Sequence, residues 1–272
     1  MKRSKQTFVA LLLATFALGG VACDKQRLDR LEKGETKKPE NEVLNKKHDD
    51  PFTADFILVE GTLPVAQWGA GDLDNAKYNL AFNAPKYKEE TKQVLRYHLD
   101  KKKGWHIVDQ DGYVKKFVVK ASEETEGTAT VYSMKIKYYD FKGDDMTYQF
   151  VQEGQDKIHQ HFFQAERFNN RNESKRVYKF EDTPWDYRYC DTQDVQDDNS
   201  KFVGNVNPVG LKGILRFNKR TQTELNMIAR LVHHGQSKYQ ENGATSKFYK
   251  PTSRQILSEQ SDIEVHLPIQ IQ

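Results

Sequence analysis

Residues 128–140 read TATVYSMKIKYYD. Thr130, Tyr132, Met134, Ile136 and Tyr138 occupy every second position, so they share one face of an extended chain. Strict alternation of this kind is typical of a β-strand with one face on a core and the other in water. The stretch therefore predicts a half-buried strand.

Similar stretches lie on both sides of this strand, separated by turn residues. Gln110-Asp111-Gly112 predicts a hairpin, Lys142-Gly143-Asp144 a turn, and residues 263–271 alternate strictly in a last strand. We therefore expect an α+β fold that is mainly antiparallel β, as a meander, a sandwich or an open barrel, with two helices.

The first helix is predicted over residues 85–103. Pro85 suits the first turn, acidic residues follow it, and Gly104 can close the helix in a left-handed cap. The competing interpretation is a strand with Leu95, Tyr97 and Leu99 facing inward.

The second helix is predicted over residues 221–235. Thr221 to Glu224 form a capping box, and Leu225, Ile228, Ala229 and Val232 follow at helical spacing.

The amino-terminal residues predict export. Basic residues at positions 2, 3 and 5 precede an apolar run over 8–18 and small residues after it, in the order of a secretory signal peptide. The ending Gly19-Gly20-Val21-Ala22-Cys23 resembles the lipobox of bacterial lipoproteins, although Gly20 stands where leucine is usual. The resemblance implies cleavage before Cys23, acylation of that residue, and a place on the periplasmic face of a membrane or on the cell surface.

The chain divides into four predicted parts. Residues 1–22 are the signal peptide, and 23–51 are the lipidated cysteine with a charged, disordered tether. Residues 52–181 form a β-rich domain with one helix. Residues 182–272 form an acidic loop and a β-α-β region, either separate or part of the same domain.

The charge of the chain argues against one class of function, nucleic-acid binding. The net charge is +3, and acidic and basic residues are interspersed throughout the chain instead of clustering.

The two cysteines are Cys23 and Cys190. Lipidation of Cys23 leaves Cys190 without an intramolecular partner. Cys190 is then interpreted as a buried small apolar residue.

Histidines are the weak candidates for metal binding. His159 and His161 flank one residue on a predicted strand and so point to the same face, but no further ligand is evident from sequence. His233 and His234 are adjacent in the predicted helix and point about 100° apart, so they converge poorly. Solvent-facing histidines are the alternative, and no cofactor is predicted.

The loop after residue 181 offers the other candidates. Trp185, Tyr187, Arg188 and Tyr189 can form a contact with a ligand or partner, or else a short strand that packs on the core. Five carboxylates of the same loop suit a glycosidase or a solvated surface, namely Asp186, Asp191, Asp194, Asp197 and Asp198.

The pattern over residues 52–120 is similar to the helix-grip modules of accessory lipoproteins of the outer-membrane barrel-assembly machinery. We expect a membrane-anchored, non-enzymatic envelope lipoprotein that binds an envelope protein or surface glycan. Two alternatives stay open. One is an envelope polysaccharide lyase or hydrolase, whose catalytic residues the sequence does not identify. The other is a metal- or haem-capturing lipoprotein that uses His159 and His161.

Overall fold

The fold is built from antiparallel strands with little helix. A computed structural model describes residues 47–69, 71–168, 173–218, 225–235, 237–257 and 260–272 of the 272. The strands in these ranges are β1 (Thr53–Pro64), β2 (Lys86–Tyr87), β3 (Gln93–Asp100), β4 (Gly104–Ile107), β5 (Phe117–Val119), β6 (Glu124–Thr125), β7 (Thr128–Tyr139), β8 (His159–Phe168), β9 (Ser174–Arg176), β10 (Trp185–Tyr189), β11 (Lys212–Phe217), β12 (Leu225–His233) and β13 (Gln260–Ile271).

Helical structure is confined to short segments. The α-helices in the described ranges are α1 (Val65–Trp68) and α2 (Ser253–Leu257). Short 3-10 helices cover Asn75–Lys77, Glu89–Thr91, Thr147–Phe150, Gln152–Lys157 and Phe180–Asp182, and the fourth of these is kinked at Glu153 and Gly154. Neither α-helix has the length and hydropathy that a bilayer crossing requires. The predicted fold class, mainly antiparallel β with few helices, is confirmed.

Two sheets make up the body. The first has the order β10-β11-β7-β1-β3-β4, with β2 paired to β1 and β6 to β7. The second has the order β5-β13-β12-β8-β9, in which only the β5–β13 pair is parallel. Both predicted regions, 52–181 and 182–272, contribute strands to both sheets.

One apolar core fills the space between the sheets. Tyr132, Met134, Ile136 and Tyr138 of β7 all belong to it, as their alternation predicts. From the second sheet it receives, among others, Phe163, Ala229 and Val265. The outer face of the first sheet carries a smaller apolar cluster formed by Leu63, Trp68, Tyr78, Leu80, Phe82, Val131, Cys190 and Ile214.

Both predicted helices are wrong in position. Residues 93–100 form β3, with Leu95, Tyr97 and Leu99 buried as the competing interpretation expects. Residues 225–233 form β12, although the capping box at 221–224 lies outside the described residues. β12 is buried on both faces, and a strand buried on both faces reads as a continuous apolar run that its sequence does not distinguish from a helix.

Candidate metal centre

Four buried side chains converge at one end of the second sheet: His48, His159, His233 and Asp262. Each offers one ligand atom, and these four atoms lie within 4.8 Å of one another. His48 Nε2 lies 3.1 Å from His159 Nε2 and 3.2 Å from His233 Nδ1. Asp262 Oδ2 lies 3.0 Å from His159 Nε2 and 3.4 Å from both other ring nitrogens.

Strand pairing brings His159 and His233 together. His159 is the first residue of β8 and His233 the last of β12, and the antiparallel register places them directly opposite each other. His159 shares its face of β8 with Phe163, and His233 shares its face of β12 with Leu231. Both imidazoles therefore lie on the core side of the sheet, at its end.

A β-bulge supplies the carboxylate. β12 and β13 pair regularly up to Leu231 and Ile263, and the register then shifts so that Val232 faces Ser261. Asp262 is the extra residue of this irregularity. A bulge redirects a side chain that regular alternation would send to the opposite face, which explains why Asp262 meets the histidines.

The fourth ligand comes from outside the sheet. His48 precedes β1, and its ring packs on Phe150 with the ring centroids 4.5 Å apart. Asp49 fixes the chain beside it, since its backbone N–H donates to Gln149 Oε1 at 2.8 Å. The packed body thus includes His48, which the sequence places within the tether, ahead of the predicted start at Phe52.

Backbone carbonyl groups determine which ring nitrogen of His48 and His159 carries the hydrogen. His159 Nδ1 lies 2.9 Å from the carbonyl oxygen of Gln155, and His48 Nδ1 lies 2.9 Å from that of Asp49. Because a carbonyl oxygen only accepts, each Nδ1 carries the hydrogen and each Nε2 presents a lone pair. Two lone pairs and a carboxylate oxygen therefore point at one position, an arrangement that a cation between them stabilises.

Burial favours the neutral form of His159. Desolvation lowers the pKa of His159 to about 4, against the opposing effect of Asp262, which raises it. His159 is thus neutral near pH 7, as a metal-binding imidazole must be.

A buried lysine supports the chain around His159. Lys238 Nζ donates to the carbonyl oxygens of His159 at 3.2 Å, Pro208 at 2.6 Å and Asp156. Burial lowers the pKa of Lys238 to about 7, while three carbonyl acceptors favour its charged form. The ammonium group ties three separate segments together next to the first residue of β8.

The ligand types and most of the spacing suit a tetrahedral transition-metal ion. Zinc bound to nitrogen and oxygen at about 2.0–2.1 Å separates neighbouring tetrahedral ligands by about 3.3–3.4 Å. Five of the six ligand-atom pairs lie at 3.0–3.4 Å, close to that separation. The sixth pair, His159 Nε2 and His233 Nδ1, is wider, within 4.8 Å, so this edge has to close when an ion binds. Three imidazoles and one carboxylate suit zinc and its neighbours, whereas calcium and magnesium prefer oxygen ligands throughout.

The structure separates the predicted pair of histidines. His159 belongs to the cluster, but His161 lies elsewhere in the core, with Nε2 2.6 Å from Tyr138 Oη and Nδ1 2.8 Å from the Val209 carbonyl oxygen. His233 belongs to the cluster and its neighbour His234 does not. The pair with converging rings is His159 and His233, which the sequence separates by more than seventy positions.

The aromatic candidates form a buried strand. Trp185, Tyr187, Arg188 and Tyr189 lie in β10 and are at most 2% exposed, so their interpretation as a surface contact is wrong. The three aromatic rings enter the core between the sheets. Arg188 lies on the other face, with its guanidinium 4.9 Å from the Trp68 ring centroid.

Carboxylates of the acidic loop have structural partners. Asp186 pairs with Arg188 at 2.6 Å, and burial raises the pKa of Asp186 to about 6. Asp191 accepts four backbone N–H groups from residues 209–212. Asp198 bridges two lysines, with Lys212 Nζ at 2.8 Å and Lys135 Nζ at 2.6 Å. Asp194 and Asp197 are exposed and accept backbone N–H groups in turns.

The cysteines fall in different parts of the chain. Cys190 is a free thiol, buried in the smaller apolar cluster, and burial raises its pKa far above the usual range, which makes it a poor nucleophile. Cys23 lies outside the described residues.

Sequence reasoning missed two of the four ligands. His48 lies in a charged stretch without periodicity, so nothing in the sequence connects it to a sheet. Asp262 directly precedes the alternating residues 263–271, out of phase with their apolar face, and a bulge has no clear sequence signature.

Comparisons of the chain with protein-family models, with curated proteins and with solved structures find no significant match. The interpretation of the site therefore depends on its geometry.

Proposed function

We propose that this chain is an exported, membrane-anchored, non-enzymatic protein whose body holds one divalent transition-metal ion, most suitably zinc, through His48, His159, His233 and Asp262. One observation carries the proposal: three imidazole nitrogens and one carboxylate oxygen, all buried, lie within 4.8 Å of one another, and backbone carbonyls hold the Nδ1 hydrogens of two of the rings, which leaves their Nε2 lone pairs for an ion.

The ion has a structural function in this proposal. Catalytic zinc sites keep a coordination position open for water or substrate, whereas structural sites are closed by four protein ligands. Here four side chains supply the ligands, and each residue is at most 2% exposed. The structural partners of Asp186, Asp191 and Asp198 also favour a non-enzymatic body over a polysaccharide-cleaving enzyme.

Retention of the ion fits the site better than capture and delivery. An ion enclosed by buried ligands exchanges only when the surrounding structure opens. Haem requires an open cleft wide enough for its ring, whereas Phe150 and the neighbouring ligands pack against His48.

The support for export and anchoring comes from the sequence alone. The signal peptide and the lipobox-like ending at Cys23 support attachment to a membrane, and an envelope protein or glycan is the partner class that such a location offers.

The metal test uses the full chain, extracted in detergent from cells grown without added metal. Elemental analysis should give about one zinc per chain, because three imidazoles and one carboxylate form a complete set of four zinc ligands. His233→Ala and Asp262→Asn should each lower the zinc content severalfold. His106→Ala, a half-buried histidine of β4 outside the cluster, is the control and should keep the metal.

Two results contradict the metal proposal. One is a wild-type chain that holds transition metal far below one equivalent even after incubation with zinc. The other is a metal content that His233→Ala and Asp262→Asn leave unchanged.

The anchoring test replaces each cysteine in turn. Cys23→Ala should move the protein from the membrane fraction to the soluble fraction, because several acyl chains are needed for stable attachment. Cys190→Ala, which removes the buried thiol, should leave the fractionation unchanged. Membrane association of Cys23→Ala, or a mature wild-type protein whose Cys23 thiol is unmodified by mass spectrometry, would refute the anchor.

A further inference from the structure

We propose that the metal ion fastens residues 47–50 to the end of the second sheet, so that metal occupancy determines where the chain from the membrane anchor joins the body. This inference rests on the proposed metal function and adds a conformational consequence to it.

The four ligands differ in how they are held. His159, His233 and Asp262 lie on neighbouring strands β8, β12 and β13, whose backbone pairing fixes them with or without an ion. His48 lies ahead of β1, outside both sheets. The ion therefore joins a preformed set of three ligands to one ligand from the incoming chain.

Without the ion, the position of His48 is unfavourable. Its Nε2 lone pair would face the lone pair of His159 Nε2 at 3.1 Å and the carboxylate oxygen of Asp262 at 3.4 Å. Moving the hydrogen to Nε2 would relieve that repulsion, but it would break the bond from Nδ1–H to the Asp49 carbonyl oxygen. Each tautomer of His48 therefore forgoes one of the two interactions that the ion-bound ring makes, through Nδ1–H and through Nε2, while the other three ligands remain on their strands.

The sheet limits how far the release extends. Phe52 donates its N–H to the Tyr139 carbonyl oxygen at 2.8 Å and accepts the N–H of Leu99 at 3.0 Å. Pro51 is buried. Loss of the ion should therefore free residues 47–50 and leave the chain from Phe52 onward in place.

The two states differ in where the anchor is attached. With the ion bound, the chain that follows Cys23 meets the body at the end of the second sheet, beside His159 and His233. Without it, that chain meets the body at the first residue of β1, in the first sheet. The ion thus sets the direction in which the body stands from its anchor.

Residue-resolved amide hydrogen exchange on the detergent-solubilised full chain tests the proposal. The Asp49 amide, which donates to Gln149 Oε1, reports on the segment, and the Phe52 amide reports on the sheet. Removal of zinc with a chelator should accelerate exchange at Asp49 by about tenfold or more and leave Phe52 unchanged. Added zinc should restore the slow rate.

Two variants separate the ion from other effects. His233→Ala keeps His48 and removes a ligand that β12 supplies, so the Asp49 amide should exchange rapidly even with zinc present. His106→Ala, outside the cluster, should behave like the wild type.

Equal exchange rates at Asp49 in zinc-loaded and chelated protein that binds one zinc would overturn this inference and leave the metal function intact. Simultaneous acceleration at Asp49 and Phe52 would overturn it too, since the ion would then stabilise the body as a whole. A wild-type chain that binds no zinc would refute the metal function itself.

Discussion

Hydrogen-bond partners decide what individual buried side chains can do in this protein. Carbonyl acceptors on Nδ1 of His48 and His159 leave their Nε2 lone pairs available to the proposed ion, while both nitrogens of His161 have partners within the core. Residue type alone therefore does not separate a ligand from a core histidine. The separation depends on contacts between residues distant in sequence.

Hydrogen-bond partners of the hydroxyl group also distinguish two buried tyrosines of β10. Tyr187 Oη is buried and has no hydrogen-bond partner among the described residues. Tyr189 Oη donates to the His161 carbonyl oxygen at 2.6 Å and accepts from Gln160 Nε2 at 3.1 Å. Tyr187→Phe should thus leave the free energy of unfolding unchanged or raise it by up to about 1 kcal/mol, whereas Tyr189→Phe should lower it by about 1–2 kcal/mol.

Urea unfolding of the two variants under identical conditions checks this order. Each serves as the control for the other, because both remove one hydroxyl from a buried ring. Tyr187→Phe as destabilised as Tyr189→Phe would contradict the hydrogen-bond assignment.

At the level of elements, the ends of strands in the second sheet position the metal cluster. Strand pairing sets His159 opposite His233, and a bulge adds Asp262.

In the first sheet, Gly213 of β11 leaves room for Tyr187 of β10, since a Cβ at Gly213 would overlap the Tyr187 ring and hydroxyl. Glycine here permits an aromatic ring to lie across the neighbouring strand.

Gly213→Ala should therefore lower the free energy of unfolding by about 1–3 kcal/mol through overpacking. In a Tyr187→Leu background, the same substitution should cost less than about 1 kcal/mol, because the shorter side chain frees the space. A double-mutant cycle by urea unfolding measures the difference. An equal cost in both backgrounds would mean that Gly213 is required for another reason.

Alternation predicts these strands well where one face is wet and poorly where both are covered. β7 and β13 follow from their period of two, and the inward face of β7 is as expected, although Val131 and Ser133 on its other face are also buried. β12 has buried residues on both faces, so its apolar run matches helical spacing equally well. β3 carries end signals typical of a helix, but pairing with β1 and β4 outweighs them.

For the whole molecule, the sequence predicts the fold class better than the site. The candidate His159 lies in the cluster, but the residues around it come from the segment before β1, from the end of β12 and from a bulge in β13. These residues are far apart in sequence, so they come together only when the complete sheet has packed. The charged stretch before Phe52 predicts a tether by composition, and composition does not reveal a single buried histidine within it.

The central claim concerns the coordination of one ion by three imidazoles and one carboxylate. X-ray absorption at the zinc edge, on the full chain as isolated, tests it most directly. We expect four nitrogen or oxygen neighbours at about 2.0 Å, with outer-shell scattering from imidazole rings. Sulfur scattering at about 2.3 Å, or a first shell without imidazole, would contradict it.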